Sequence, residues 1–91
     1  MFIVISYDIA DDKRRNKVAK TLENYGTRVQ YSVFECILEK EKLVELQNTL
    51  NKIIENEKDS IRFYQLCESC LKKVEISGIG EITKDLEFYI V

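Results

Sequence analysis

Asp8 is where chemistry could start in this chain. The carboxylate closes the apolar, β-branched run Phe2-Ile3-Val4-Ile5-Ser6-Tyr7. A strand would carry it to the edge of a core, where an unpaired charge costs several kcal/mol by desolvation. A metal ion, an arginine or a backbone amide would each offset that cost, and Arg14 and Arg15 follow six and seven residues later. Both arginines fall in the first turn of an expected helix, where cations oppose the helix dipole by a few tenths of a kcal/mol each. Two of them there imply an anion nearby. Planar guanidinium groups suit phosphate, whereas a plain ion pair of Asp8 with Arg14 or Arg15 is the simpler alternative. The chain contains no histidine, so no imidazole is available as a general base.

The elements that must position these groups follow from periodicity. Phe2 to Tyr7 reads as a buried strand. The Asp11-Asp12 step favours a helix start, since a carboxylate there caps free amides and sits well at the positive end of the dipole. The helix runs to about Tyr25 with Val18, Leu22 and Tyr25 in one stripe and Ala19 at its edge, and Gly26 is expected as a left-handed cap. Arg28 to Leu38 is a strand of unusual length, rich in Val, Tyr, Phe and Ile. Both of its faces mix apolar and polar groups, so a bend or bulge is expected, with the two halves doing different work. A second helix, about Lys42 to Glu55, places Leu43, Leu46, Leu50, Ile53 and Ile54 on one stripe. Asp59–Leu66 and Lys73–Ser77 read as further strands. Gly78 and Gly80 form a joint before a last apolar strand, Leu86–Val91. Tyr31 has no expected role beyond sheet packing.

At 91 residues with 45% apolar and 33% charged residues, the chain reads as one globular domain that buries roughly 60–65% of its unfolded surface. It shows neither a membrane span nor a charged-apolar leader, so a cytoplasmic protein without membrane partners is expected. The net charge of −2 announces no polyanion partner, but its distribution is uneven. Lys13, Arg14, Arg15, Lys17, Lys20 and Arg28 stand against the single acid Glu23, which suggests either a local anion site or a solvated helix face. Cys36, Cys67 and Cys70 are too few, and odd in number, for a disulfide framework. Reduced, partly buried thiols are the default for them, and a zinc site would need the Cys67/Cys70 pairs of two subunits. A small sheet with helices on one face leaves the other face uncovered, so a homodimer completed by the C-terminal tail is expected.

The ordered set Tyr7-Asp8, Asp12-Lys13-Arg14-Arg15, Leu22, Tyr25-Gly26, Arg28-Val29-Gln30, Ser32-Val33-Phe34-Glu35 and Asp59-Ser60-Ile61-Arg62 covers nearly the whole chain. It resembles CRISPR-associated protein 2, the small adaptation nuclease. The resemblance implies an α+β, ferredoxin-like split βαβ sandwich with an additional C-terminal strand, homodimeric by exchange of those strands. The ferredoxin-like domain would span residues 1–77 and a Gly-hinged tail residues 78–91, with Arg28–Leu38 split or bent.

Two activities are implied by the same resemblance. One is a Mg²⁺-dependent endonuclease acting on RNA or DNA phosphodiesters, taking part in spacer acquisition. The other is a non-catalytic dimeric scaffold that binds duplex DNA and the integrase, CRISPR-associated protein 1. Asp8 matches the family's catalytic carboxylate and would hold Mg²⁺, a hard cation that takes one or two carboxylates with waters and a phosphate. Two Asp8 side chains across a dimer axis would supply both, with Tyr7 beside them in the catalytic set. Arg14, Arg15, Arg28, Ser32, Phe34, Lys13 and Lys17 would contact nucleic acid, with Phe34 either stacking on a base or packing in the core. In the scaffold reading, Lys13, Lys17, Lys20, Arg14 and Arg15 act by phosphate neutralisation. A toxin-like ribonuclease of a related fold is a further alternative, whereas an RRM module lacks its basic-Gly-aromatic run.

Overall fold

The computed structural model describes residues 1–83. In chain order the elements are β1 (Phe2–Asp8), α1 (Asp12–Glu23), β2 (Gly26–Gln30), β3 (Val33–Ile37), α2 (Lys40–Ile53), β4 (Ser60–Leu66) and the short α3 (Glu68–Leu71). The four strands form one antiparallel sheet in the order β2-β3-β1-β4. β1 therefore lies inside the sheet, paired on both sides. Its side chains alternate: Ile3, Ile5 and Tyr7 are buried, whereas Val4 and Ser6 are half-buried on the other face and Asp8 is exposed. The buried set joins Val18 and Leu22 of α1, Leu46 and Leu50 of α2, and Phe34 and Cys36 of β3 in one core. Each such fully buried aliphatic side chain stabilises the fold by about 1.5–3 kcal/mol. Both long helices thus pack on one face of the sheet and leave the other open.

The long segment Arg28–Leu38 is two strands, broken by a turn at Tyr31-Ser32 and bulged between Arg28 and Gln30. This gives the split βαβ order, βαββαβ, in place of a single long strand. The two halves differ as their composition suggested: Phe34, Cys36 and Leu38 face the core, while Val29 and Tyr31 are exposed. The Asp11 carboxylate caps α1 by accepting from the Arg14 amide at 2.9 Å. Lys73–Ser77 is not a strand. It follows α3 without a ladder partner among the described residues, and its apolar Val74 and Ile76 are exposed. Thr83 returns to the open face, where its amide and hydroxyl donate to Glu35 Oε1 at 3.2 and 2.7 Å. The expected strand Leu86–Val91 lies outside the described residues.

Gly26 is not a left-handed cap, because the glycines with positive φ among the described residues are Gly78 and Gly80. It instead opens β2 opposite Cys36, and a Cβ there would sit 2.4 Å from both Cys36 Sγ and the Glu35 carbonyl. The glycine is needed for close approach of two strands. Gly26→Ala should therefore lower stability by about 1–3 kcal/mol, the usual cost of overpacking, read as a fall in the urea midpoint at unchanged slope. A wild-type midpoint would show that β2 can shift outward freely.

Asp59 joins α1 to the connection between α2 and β4 through a fully buried carboxylate. It accepts from Arg14 Nε at 2.8 Å and Nη2 at 3.2 Å, and from the Glu55 amide at 2.9 Å. These bonds tie α1 to the segment between α2 and β4. The Arg14 bond, followed by the Glu55 amide, holds the Asp59 carboxyl below the usual carboxylate range against the effect of burial. The same bond raises Arg14. A carboxyl whose folded pKa is depressed contributes stability above its unfolded pKa of ~3.9 and loses it as pH falls through the lower folded value. Asp59→Asn should lower Tm by several degrees at pH 7. The gap to wild type should stay constant down to about pH 5 and narrow below it, and thermal scans across pH showing a constant gap down to pH 2 would remove the ionic role.

Candidate functional site

Asp8 ends β1 opposite Ser60 of β4 and is exposed. The desolvation penalty expected of it does not arise, because strand alternation sends Tyr7 into the core and Asp8 to the open face. The simpler pairing with Arg14 or Arg15 is also not formed. No ion pair among the described residues involves Asp8. Its neighbours on that face come from register. Ser6 lies two residues back and is directly opposite Arg62, so Arg62 is the diagonal neighbour of Asp8, within reach of a long side chain. Arg62 is exposed, and its guanidinium donates to the Tyr64 hydroxyl at 3.5 Å, a bond that raises its pKa. Sequence reasoning missed Arg62 as a site residue, since only the β1–β4 register places it beside Asp8.

The donor set for a cation is a single carboxylate. Among the described residues no cluster of three or more His, Cys, Asp or Glu could hold a metal. One exposed carboxylate without an ion pair among the described residues would suit Mg²⁺ as half of a site, because this ion keeps several waters and accepts substrate phosphate. A second copy of Asp8 would complete the pair.

Tyr7 lies on the other side of the sheet. Its hydroxyl donates to the Tyr31 carbonyl at 3.2 Å and accepts from Arg28 Nη2 at 3.4 Å, while its backbone amide donates to the Ser32 carbonyl at 3.1 Å. Tyr7 and Ser32 thus hold the β2–β3 turn against the end of β1. Arg28 caps the same cluster, its guanidinium 5.3 Å from the centre of the Phe34 ring, and the Tyr7 hydroxyl raises its pKa. Phe34 is fully buried. It packs, and it offers no face to a base, because it occupies a core-facing position of β3.

The two helix-start arginines are largely committed within the fold. Arg14 serves Asp59. Arg15 Nη1 donates to the carbonyls of Ile9 and Ala10 at 3.2 and 3.3 Å, and its Nη2 pairs with Asp12. The Asp12 bond raises Arg15. The anion their position implied is therefore the protein's own carboxylates. Tyr31 does more than the sheet packing expected of it: 70% exposed at the turn, it carries the Arg15 guanidinium 5.9 Å from its ring centre.

The cations left to solvent are elsewhere. Lys13, Lys17 and Lys20 are exposed and make no ion pair among the described residues. With Asn16, Glu23 and Arg28 they line a groove of about 420 Å³ along α1. The expected site is thus two sites: a carboxylate end on the open face and a cationic groove on the helix face.

Comparison with known proteins agrees with this architecture. Residues 1–74 match the family described as CRISPR associated protein Cas2. A protein of Synechocystis sp. named CRISPR-associated endoribonuclease Cas2 3 is 56% identical over 85 residues, 92% of each chain. Among solved structures, Streptococcus pyogenes Cas2 superposes with a TM-score of 0.76 at 38% identity, covering 86% of this chain and all of that one. A chain of a partial Cas6-RT-Cas1–Cas2 complex gives 0.74 at 34% identity, covering 82% of this chain and 88% of that one. Matching that family's residue pattern and its fold over most of its length, the chain belongs to the CRISPR-associated Cas2 family.

Proposed function

We propose that this chain is a CRISPR-associated endonuclease subunit, cutting RNA or DNA phosphodiesters and taking part in spacer acquisition in the cytoplasm. The observation that carries the reading is Asp8, an exposed carboxylate at a strand end with no cation partner among the described residues. The relative from Synechocystis is named an endoribonuclease, which supports the nuclease class. Asp8 would hold Mg²⁺, which supplies Lewis acidity at a phosphodiester oxygen when bound. Arg62, diagonal to Asp8, would orient the phosphate by charge-assisted hydrogen bonds. Tyr7 and Ser32 act from behind the strand, fixing the turn beside Asp8, so they are positioning residues.

The working form is a homodimer in which the open faces bring two copies of Asp8 together. Its support is the half-buried apolar set Val4, Val33, Ile37 and Leu66 on the sheet face opposite the two long helices. A second reading, the DNA-binding scaffold, is favoured by the groove of Lys13, Lys17, Lys20 and Arg28. It lies on the opposite face from Asp8, so both roles fit one molecule. A solved relative belongs to a Cas1–Cas2 complex, and the integrase partner of this chain is proposed on that likeness.

Labelled single-stranded RNA and duplex DNA incubated with the purified protein should be cut with Mg²⁺ and not with EDTA. Asp8→Ala should lower the rate by about 10²-fold or more, the several kcal/mol that a metal-holding carboxylate supplies. Cutting by Asp8→Ala at the wild-type rate would sink the nuclease assignment. Lys13→Ala/Lys17→Ala should weaken duplex binding and flatten its salt dependence by about 0.9 in log–log slope for each phosphate no longer neutralised, while leaving Asp8 intact. Sedimentation should give twice the chain mass, and Tyr64→Asp, an exposed open-face change, should shift it towards monomer. A wild-type mass for that variant would place the interface elsewhere.

A further inference from the structure

Cys67 and Cys70 take no part in either site. β4 runs from Ser60, opposite Asp8, to Leu66, opposite Phe2, so the pair sits at the far end of the sheet from the candidate nuclease centre. Cys67 is the N-cap of α3, and Cys70 is three residues further on. N-cap and N3 positions stand on the same side of a first helical turn, and the Cys67 side chain makes no capping bond there. Both thiols are exposed, contrary to the partly buried state expected of them, and both stand on the first turn of α3 with two residues between them. Cys67 Sγ is also 3.2 Å from Ser69 Oγ. Cys36, by contrast, is fully buried.

We propose that Cys67 and Cys70 form a redox-active dithiol that closes to an intramolecular disulfide by exchange with small-molecule disulfides of the oxidised-glutathione class. The chemistry balances within the pair. The Cys67 thiolate attacks one sulfur of the reagent, forming a mixed disulfide and releasing one thiol. Cys70 then attacks the Cys67 sulfur, forming the Cys67–Cys70 bond and releasing the second thiol. The protein loses two electrons and two protons, and the reagent gains them as two thiols.

The assignment of attacking and resolving sulfur follows from the surroundings. The Ser69 hydroxyl, first of all, with the neighbouring Cys70, pulls the Cys67 thiol down to about 7. The neighbouring Cys67 pushes Cys70 up. The thiolate is the nucleophile, so Cys67 attacks first. Burial pushes the Cys36 thiol up to about 11, which makes it an inert internal reference. A metal is the weaker reading for the pair, because no third ligand joins it among the described residues and structural zinc takes four.

The test is exposure of the full reduced chain to oxidised glutathione at pH 7.5, then alkylation and peptide mass spectrometry. Disulfide should appear between Cys67 and Cys70, with Cys67 reacting at least about tenfold faster than Cys36. Cys70→Ser should accumulate a glutathione adduct on Cys67, and Cys67→Ser should lose the fast reaction. Asp8→Ala should close the disulfide at the wild-type rate, so the outcome is independent of the nuclease reading. The proposal is overturned if the two cysteines stay reduced, if adducts form equally on Cys36, if cross-links form only between chains, or if added zinc binds at one ion per two chains and blocks oxidation.

Discussion

The rest of the molecule depends on the two-residue period of one strand. β1 is paired on both sides, by β3 and by β4, so its register cannot slip by a residue without turning every side chain to the other face. Ile3, Ile5 and Tyr7 are committed to the core, and Asp8 is therefore committed to the open face. A charge placed by this constraint needs no buried partner. It remains available at the strand end while the apolar residues before it hold the strand rigid. Among the described residues, the carboxylate is placed by the packing of its neighbours and by no side-chain bond of its own.

A similar division governs the cations. Arginine suits partly buried sites because its planar fork makes several directed bonds at once, and Arg14 and Arg15 are used in this way, on Asp59 and on the Ile9 and Ala10 carbonyls with Asp12. The lysines of α1, on the outer side of the helix, keep their charge in solvent. A duplex backbone approaching α1 would meet Lys13, Lys17 and Lys20 first. The mild net negative charge of the chain thus conceals a local cationic groove, because many of its acids lie elsewhere or are paired to internal arginines.

Separation of the carboxylate end from the cationic groove by a sheet would let the two proposed roles coexist in one molecule. A nuclease centre completed by a second carboxylate would belong on the face where a second copy would pack. A surface that grips phosphate belongs on the face that stays exposed after packing. Arg28 touches both descriptions, since its guanidinium reaches Tyr7 and Phe34 from the groove side, linking the groove to the turn that buttresses the end of β1.

Local pattern alone was enough for the two long helices and their stripes, the Asp11 cap, the core positions of β1 and an irregularity in the long second strand. Each is set by near neighbours in the chain, through periodicity and capping. The split of that strand into two was implied by the family resemblance, and the short α3 was not foreseen. The resemblance carried by spaced residue pairs was also legible, and it named Asp8 and the basic cluster. The tertiary structure decided which of those residues are free. Arg14 looked available until Asp59, distant in sequence, took it. Phe34 looked able to stack until the core closed over it. Gly26 looked like a cap until β3 lay against it, and Arg62 had no visible link to Asp8 before β4 was laid beside β1. Apart from Gly26, whose partner is the next strand of a hairpin, the deciding contact spans many residues, and hydrophobic periodicity holds no information about which distant strand or carboxylate will be the partner.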